Sequence, residues 1–242
     1  MTTPAHPSAE QVLASIEQAG GEIQDSRTLS PVQMLPLNEQ ASRILQSSSD
    51  AQDKDDLQAE EAAHKAAAAW QIGLQGILLS LQSKEMINFR SIDAQPLFLT
   101  LDGRQTIRLG SPEYRLWSAL PETGEGRSQP DLESMLGKDT FKLAQSRAFR
   151  NKIVRRLPDG TFARAESTLD QQLGDETRSE LVELAKTGKL QGEGADKKIA
   201  ELKKRKMVGQ RKLLYFSMAK GPQFALTVQK LETDLTSDML AS

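Results

Sequence analysis

Apolar positions fall at helical spacing in the first part of the chain. Residues 9–19, AEQVLASIEQA, set Val12, Leu13 and Ile16 on one face, with Ser8 as N-cap and Gly20-Gly21 as a stop. After two prolines, a short helical pattern ends at Leu45. Residues 66–83 predict a stronger helix, because Trp70, Leu74, Ile77, Leu78 and Leu81 share a face. Gly73 and Gly76 weaken its intrinsic propensity, so packing must hold it.

The period then changes. MINFRSI (86–92) and LFLTL (97–101) read as strands, and the DAQP between them reads as a hairpin loop or wing. Helices followed by a β-hairpin is the order of a winged helix. The order recurs with PEYRLWSAL (112–120), PDLESMLG (130–137) and KDTFKLAQSRAFRNK (138–152). IVRR and TFARAE then flank the Asp-Gly turn of LPDG. DETRSELVELAKTGKL (175–190) and DKKIAELKKRKMV (196–208) are amphipathic helices, the second a basic rod. RKLLYFSMAKG and QFALTVQKLE read as two strands around Gly221-Pro222, and the polar ETDLTSDMLAS reads as a linker cut short.

The expected fold class is therefore α+β: tandem winged-helix domains, mainly helical with small β-hairpins. A first winged-helix domain is expected over residues 1–110, with a disordered acidic insert near 47–66. A second is expected over 111–170. Basic helices plus a β-hairpin fill 171–242. A generic small α+β domain with hairpins remains the alternative.

Charge sharpens this picture. The chain carries 31 Lys+Arg and 33 Asp+Glu, so it is no polycation, and affinity for nucleic acid requires a local patch. Residues 1–66 hold eleven acids and four bases, whereas KKIAELKKRKMVGQRK (197–212) holds eight bases and one acid. The acidic excess lies in a tract nearly free of large apolar side chains, which argues for disorder. Deletion of 47–62 is expected to leave the melting temperature within a few degrees.

Composition narrows the chemistry. With no Cys and only His6 and His64, thiolate sites, disulfides and His-based triads are excluded. None of the nucleotide-binding or hydrolase motifs GxxxxGK[ST], GxGxxG, GxSxG and HExxH occurs. No run approaches the roughly 18 apolar residues of a membrane span, and the N-terminus resembles no secretory signal or mitochondrial presequence. The cytosol is the expected compartment, with no membrane partner.

The candidate chemistry is basic. Lys203, Lys204, Arg205 and Lys206 surround one helix axis, with Arg211 beyond them. Arg147, Arg150, Lys152, Arg155 and Arg156 follow the third helix of the second winged unit into its first strand, where a winged domain meets nucleic acid. Both sets read either as phosphate-contacting surfaces or as solvated helix faces. Phe98, Phe141, Phe149, Phe162, Tyr215, Phe216 and Phe224 read as core rather than as stacking platforms.

Several of these segments, taken together, resemble the N-terminal part of the alpha subunit of cytosolic phenylalanine–tRNA ligase of the eukaryotic, particularly fungal, type. They are GKDTFKLAQSRAFRNK, LGDETRSEL, AELKKRKMVGQRK and AKGPQFALTVQKLETDLTSDM. LQSKEMINFRSI and LFLTLDGRQTIRLGSPEYRLWSALPE resemble the family's first winged domain more loosely. The resemblance is specific from about Ser128 onward.

The resemblance implies three small DNA-binding-like, winged-helix domains ahead of a class II catalytic core. It implies phenylalanine tRNA as a partner and a beta subunit in an α2β2 assembly. ATP and Mg²⁺ are implied for the full-length enzyme. On this reading the tRNA-binding residues are Lys203, Lys204, Arg205, Lys206, Arg211, Arg147, Arg150 and Lys152. No class II motif is present in the sequence, so no catalytic residue carries over, and the chain alone is expected to be inactive. A fragment, a truncated gene model or a shortened paralogue would each fit. A standalone winged-helix interaction protein or DNA-binding regulator is the alternative of a different class.

Overall fold

The structure, a computed structural model, describes residues 5–47, 49–168 and 173–228. It is α+β: helices with small antiparallel sheets, divided between two compact units. The first comprises Met1–Met34, Glu60–Pro96 and Lys212–Ser242, and the second Leu35–Ala59 and Leu97–Arg211. Neither is a continuous stretch: residues 1–110 and 171–242 each contribute to both units.

The first unit begins with α1 (Ala9–Gln18). Ser8 accepts from the Gln11 amide while the Gln11 side chain accepts from the Ser8 amide, a reciprocal cap. Strand β1 (Glu22–Ile23) and a 3-10 turn, Ser26–Leu29, follow. Trp70, Leu74, Leu78 and Leu81 bury one face of the long helix α3 against Val12, Leu13 and Ile16 of α1.

Helix α3 runs continuously from Asp50 to Ser83. It replaces both the disordered insert expected near 47–66 and the shorter helix expected from 66. The tract lacks large apolar side chains but is rich in Ala, Gln, Glu and Lys, which favour the helix intrinsically. Glu61 and Lys65 pair one turn apart at 2.8 Å.

Residues 50–59 of this helix belong to the second unit, where a charge anchors them. Asp53 is fully buried and pairs with Arg108 at 3.2 Å, and the exposed Asp50 pairs with the same guanidinium. Breaking a buried pair by removing one partner costs about 3–5 kcal/mol. The tract is therefore not dispensable. At about 2–4 °C per kcal/mol, deleting 47–62 should lower the melting temperature by roughly 10 °C. A shift of under about 3 °C in a thermal melt would contradict this.

Strand β2 (Ile87–Ala94) does not form a hairpin with β3 (Leu97–Leu99). It pairs antiparallel over eight residues with the last described strand, β7 (Leu213–Lys220), from Ile87 opposite Lys220 to Ala94 opposite Leu213. β1 pairs with the other edge of β7, giving the order β1-β7-β2. Phe89 and Phe216 meet edge to face at 5.6 Å across this sheet. β7 carries buried Leu213, Phe216 and Met218, an apolar partner that a two-residue connection through Pro96 could not supply. After β7, the second strand expected after Gly221-Pro222 is absent through Val228, where a turn stands instead. Positions 229–232 of that expected strand lie outside the described residues.

The second unit holds two apolar cores. One gathers α2 (Leu37–Gln46), β3, α4 (Leu101–Leu109), α8 (Glu176–Thr187), α9 (Ala195–Lys204) and β6 (Val208–Gln210). Ile44, Leu99, Ile107, Leu181 and Leu184 are fully buried in it. The other core lies wholly between residues 114 and 173. Its elements are α5 (Pro112–Ala119), α6 (Gln129–Leu136), α7 (Lys138–Arg150) and the hairpin of β4 (Val154–Arg156) with β5 (Phe162–Arg164). Three helices and a two-stranded wing are the winged-helix order expected here. Phe141 and Phe162 pack edge to face at 5.4 Å at its centre.

This segment is thus an insertion between α4 and α8. One carboxylate pins its two ends. Asp175 accepts the Ser111 amide at 2.6 Å on one oxygen and, as N-cap of α8, the Arg178 amide at 3.0 Å on the other.

Candidate nucleic-acid interface

The basic block straddles the end of α9 and the turn into β6. Lys206 has φ +58°, and its carbonyl accepts from the Thr100 hydroxyl at 2.5 Å. Gly103 of α4 lies against the next carbonyl, that of Met207. A Cβ at position 103 would stand 2.1 Å from that oxygen, so only glycine lets α4 approach this turn. Gly209 plays a similar part beyond it. It faces Phe98 across the β3–β6 pair, and the Phe98 ring fills the space a side chain would need. Arg211 lies over that ring at 4.0 Å, a cation–π contact that fixes the guanidinium.

The eight sequence-predicted bases do not form one free surface. Lys204, Lys206, Lys152 and Arg150 are exposed and Lys203 is half-buried. Arg205 is turned inward. Its guanidinium grips both oxygens of the buried Glu113 at 2.8 and 2.9 Å, and Thr177 bridges the pair at 3.0 Å to each. Arg147 also faces inward, bonded to Glu201 and 3.8 Å from Glu113. Arg150 reaches Glu201 at 3.1 Å.

The expectation that Arg205 and Arg147 offer free positive charge is therefore corrected. Both spend their hydrogen bonds tying the inserted segment to α8 and α9. Sequence spacing could not reveal this, because Glu113 is 92 residues from Arg205. Of the further cluster, Arg155 pairs with Glu166 at 2.9 Å, while Arg156 stays exposed on the wing.

Between α4, α5, α7 and α9 the second unit opens a groove of about 750 Å³. Arg115 of α5, Lys142, Arg147 and Arg150 of α7, Lys204 of α9 and Arg205 just past its end line it, against two acids, Asp102 and Glu201. Sequence reasoning does not single out Arg115 or Lys142. Lys142 stands on the exposed face of α7 one turn before Ser146 and two before Arg150, a spacing that could have found it. The exposed Leu143 adds an apolar wall.

Glu201 is the acid that faces these bases most directly. The Arg147 guanidinium bonded to it holds its carboxyl below the usual carboxylate range, against the opposing effect of partial burial and with help from Arg150. It is thus charged at neutral pH. A depressed folded-state pKa contributes stability that is present above the ordinary carboxylate range. That contribution is lost only as pH falls through the lowered value.

Phe141, Phe162 and Phe216 are fully buried, as expected of core. Phe98 and Tyr215 differ: both are half-buried and carry guanidinium groups on their faces, Arg211 on Phe98 and Arg27 on Tyr215 at 4.3 Å. Among the described residues no helix is long and apolar enough to cross a membrane.

Comparison with known proteins gives this geometry a context. Residues 111–166 match the family model described as PheRS DNA binding domain 3, and they coincide with the inserted α5–β5 segment. The chain is similar to the "Phenylalanine--tRNA ligase alpha subunit" of Saccharomyces cerevisiae, with 35% identity over 169 residues, covering 68% of this chain and 33% of that protein. The protein of the same name from Schizosaccharomyces pombe is 32% identical over 168 residues, covering 69% and 32%. That from Homo sapiens is 28% identical over 168 residues, again covering 69% and 32%. The chain spans about a third of the length of the curated relatives it matches.

Proposed function

We propose that a chain of this likeness is the N-terminal, tRNA-binding region of a phenylalanine–tRNA ligase alpha subunit, and supports charging of the phenylalanine tRNA in translation. The observation that carries this is the coincidence of the matched domain with the inserted winged helix. Two sources, one from sequence and one from geometry, draw the same boundaries.

Tandem winged-helix architecture belongs to the same reading, with the α2/α4/α8/α9 core as a second winged unit around the first. A beta subunit in an α2β2 assembly, a cytosolic setting, and ATP with Mg²⁺ for the full-length enzyme follow from the relatives' class. No residue of this chain is assigned to those cofactors.

Phosphate binding falls to the exposed Lys204, Lys206, Arg150 and Lys152 and the half-buried Lys203, with Arg211 held on its ring. Such bases position an RNA without reading its sequence, so discrimination among tRNAs should be weak. Substituting Lys203, Lys204 and Lys206 by Gln should weaken tRNA binding and lower the salt slope by about 0.7–0.9 for each phosphate no longer neutralised. Melting should change little, because none of the three is held by an ion pair among the described residues and two of them are exposed. Titration of purified tRNA across a salt series, for wild type and variant, checks it. Equal affinity and slope would reduce the block to a solvated helix end. Equal preference for duplex DNA would favour a DNA-binding role.

A further inference from the structure

The groove between α4, α5, α7 and α9 is electrostatically unfinished. Six bases converge on about 750 Å³, yet Arg147 and Arg150 both bond to the single carboxylate of Glu201. The Glu201 side chain is 43% exposed and that of Arg150 66%, so their contact is reachable from water, while Arg147 is 22% exposed. The other half of the network is not reachable: Glu113 and Arg205 are 7% and 17% exposed and close on each other and on Thr177. The two acids thus differ in kind. Glu113 is buried structure. Glu201 is a solvent-accessible anion resting on guanidinium groups whose fork geometry suits carboxylate and phosphate alike.

We infer that this groove binds a phosphodiester group of RNA, and that Glu201 is an internal competitor which the phosphate displaces from Arg150 and Arg147. The inference rests on the tRNA-binding reading and adds to it a specific seat and a restraint on affinity.

The incoming phosphate meets Lys142, Arg115 and Lys204 first. None of these three is held by an ion pair among the described residues, and all line the same groove. It then takes Arg150, the most exposed of the paired bases. The carboxylate of Glu201 swings into water without unfolding anything, because α9 is anchored separately. That anchor is the Arg205–Glu113 pair together with Leu202, which is 2% exposed. An RNA phosphate is favoured over an acidic peptide because the lining supplies several dispersed cations along one groove, which suits a repeating chain of phosphates. Leu143 adds apolar surface against which a sugar or base edge can rest.

The test uses the full chain, purified tRNA as probe, and polyglutamate of similar charge as control. In E201Q the arginines lose their competing charge. One additional phosphate neutralised raises affinity about sixfold at 0.1 M salt and steepens the slope by about 0.7–0.9. In K142Q, which touches no ion pair, affinity should fall by about the same factor. The melting curve of K142Q should lie close to wild type, whereas E201Q should melt somewhat lower, because it gives up the charged bonds to Arg147 and Arg150.

An E201Q affinity equal to wild type, with K142Q still weakened, overturns the competitor role while leaving the groove and the tRNA reading intact. An unchanged K142Q overturns the groove assignment, whatever E201Q does and even if E201Q does not fold. Polyglutamate binding as tight as tRNA overturns the phosphate assignment. Absence of tRNA binding by wild type and E201Q alike at low salt overturns the tRNA-binding reading itself.

Discussion

Phe162→Ala should unfold the inserted winged helix. The ring is fully buried, meets Phe141 edge to face at 5.4 Å and Phe149 at 6.0 Å, and has Arg156 over it at 5.7 Å. Truncating a buried Phe costs about 3–5 kcal/mol, the spread depending on how far the cavity collapses. Collapse is limited here, because the backbone of Phe162 is held by two hydrogen bonds to Arg127 at 2.8 and 2.9 Å. The segment matched by the family model spans residues 111–166, and a core of that size has little stability in reserve. Amide hydrogen exchange should therefore show protection lost across α5–α7 and retained in α1 and β7. Phe149→Ala, at a half-buried ring, should cost distinctly less. Equal exchange patterns for wild type and F162A would show that this core is not held as described.

Glu113→Ala should cost about 3–5 kcal/mol, because it strands a guanidinium that is almost out of water. Arg205 would lose both its carboxylate bonds, and Thr177 its acceptor. The isosteric Gln keeps one acceptor and should lose less. The informative comparison is with the neighbour in sequence. Lys204→Gln should leave urea unfolding unchanged while weakening tRNA binding, and Arg205→Gln should do the reverse in proportion. If both substitutions altered binding alone, Arg205 would belong to the interface after all and the inward assignment would fall.

These two residues mark where sequence reasoning reaches its limit. The elements of the inserted segment are legible because each is local. Phe141, Ala144 and Ala148 repeat at helical spacing, and the Asp-Gly of the wing names its own turn. Ion pairing is not legible. Four consecutive bases look alike in sequence, yet the helix turns Arg205 toward α5 and Lys204 toward solvent. The partner that decides the matter lies in a different helix.

Strand partners escape sequence reasoning for the same reason. Two short strands separated by DAQP invite a hairpin, but β2 finds an eight-residue antiparallel partner in β7, far along the chain. The acidic tract misleads differently. Missing large side chains predict disorder, whereas Ala-rich composition supplies the helix and one buried acid, Asp53, supplies its anchor.

The position of β7 has a consequence for the chain as it is made. The only partners described for β1 and β2 lie in residues 213–220, downstream of every residue of the second unit. During synthesis, Ile87 and Phe89 must wait while roughly a hundred or more further residues leave the ribosome, at about 5–20 residues per second. The second unit has all its parts by Arg211, so it is complete while the first still carries open strand edges. Strands β1 and β2, made before the second unit is complete, thus close after it. A ribosome stalled shortly before residue 213 would hold an assembled inserted domain behind an unfinished sheet, the form most exposed to edge-to-edge association.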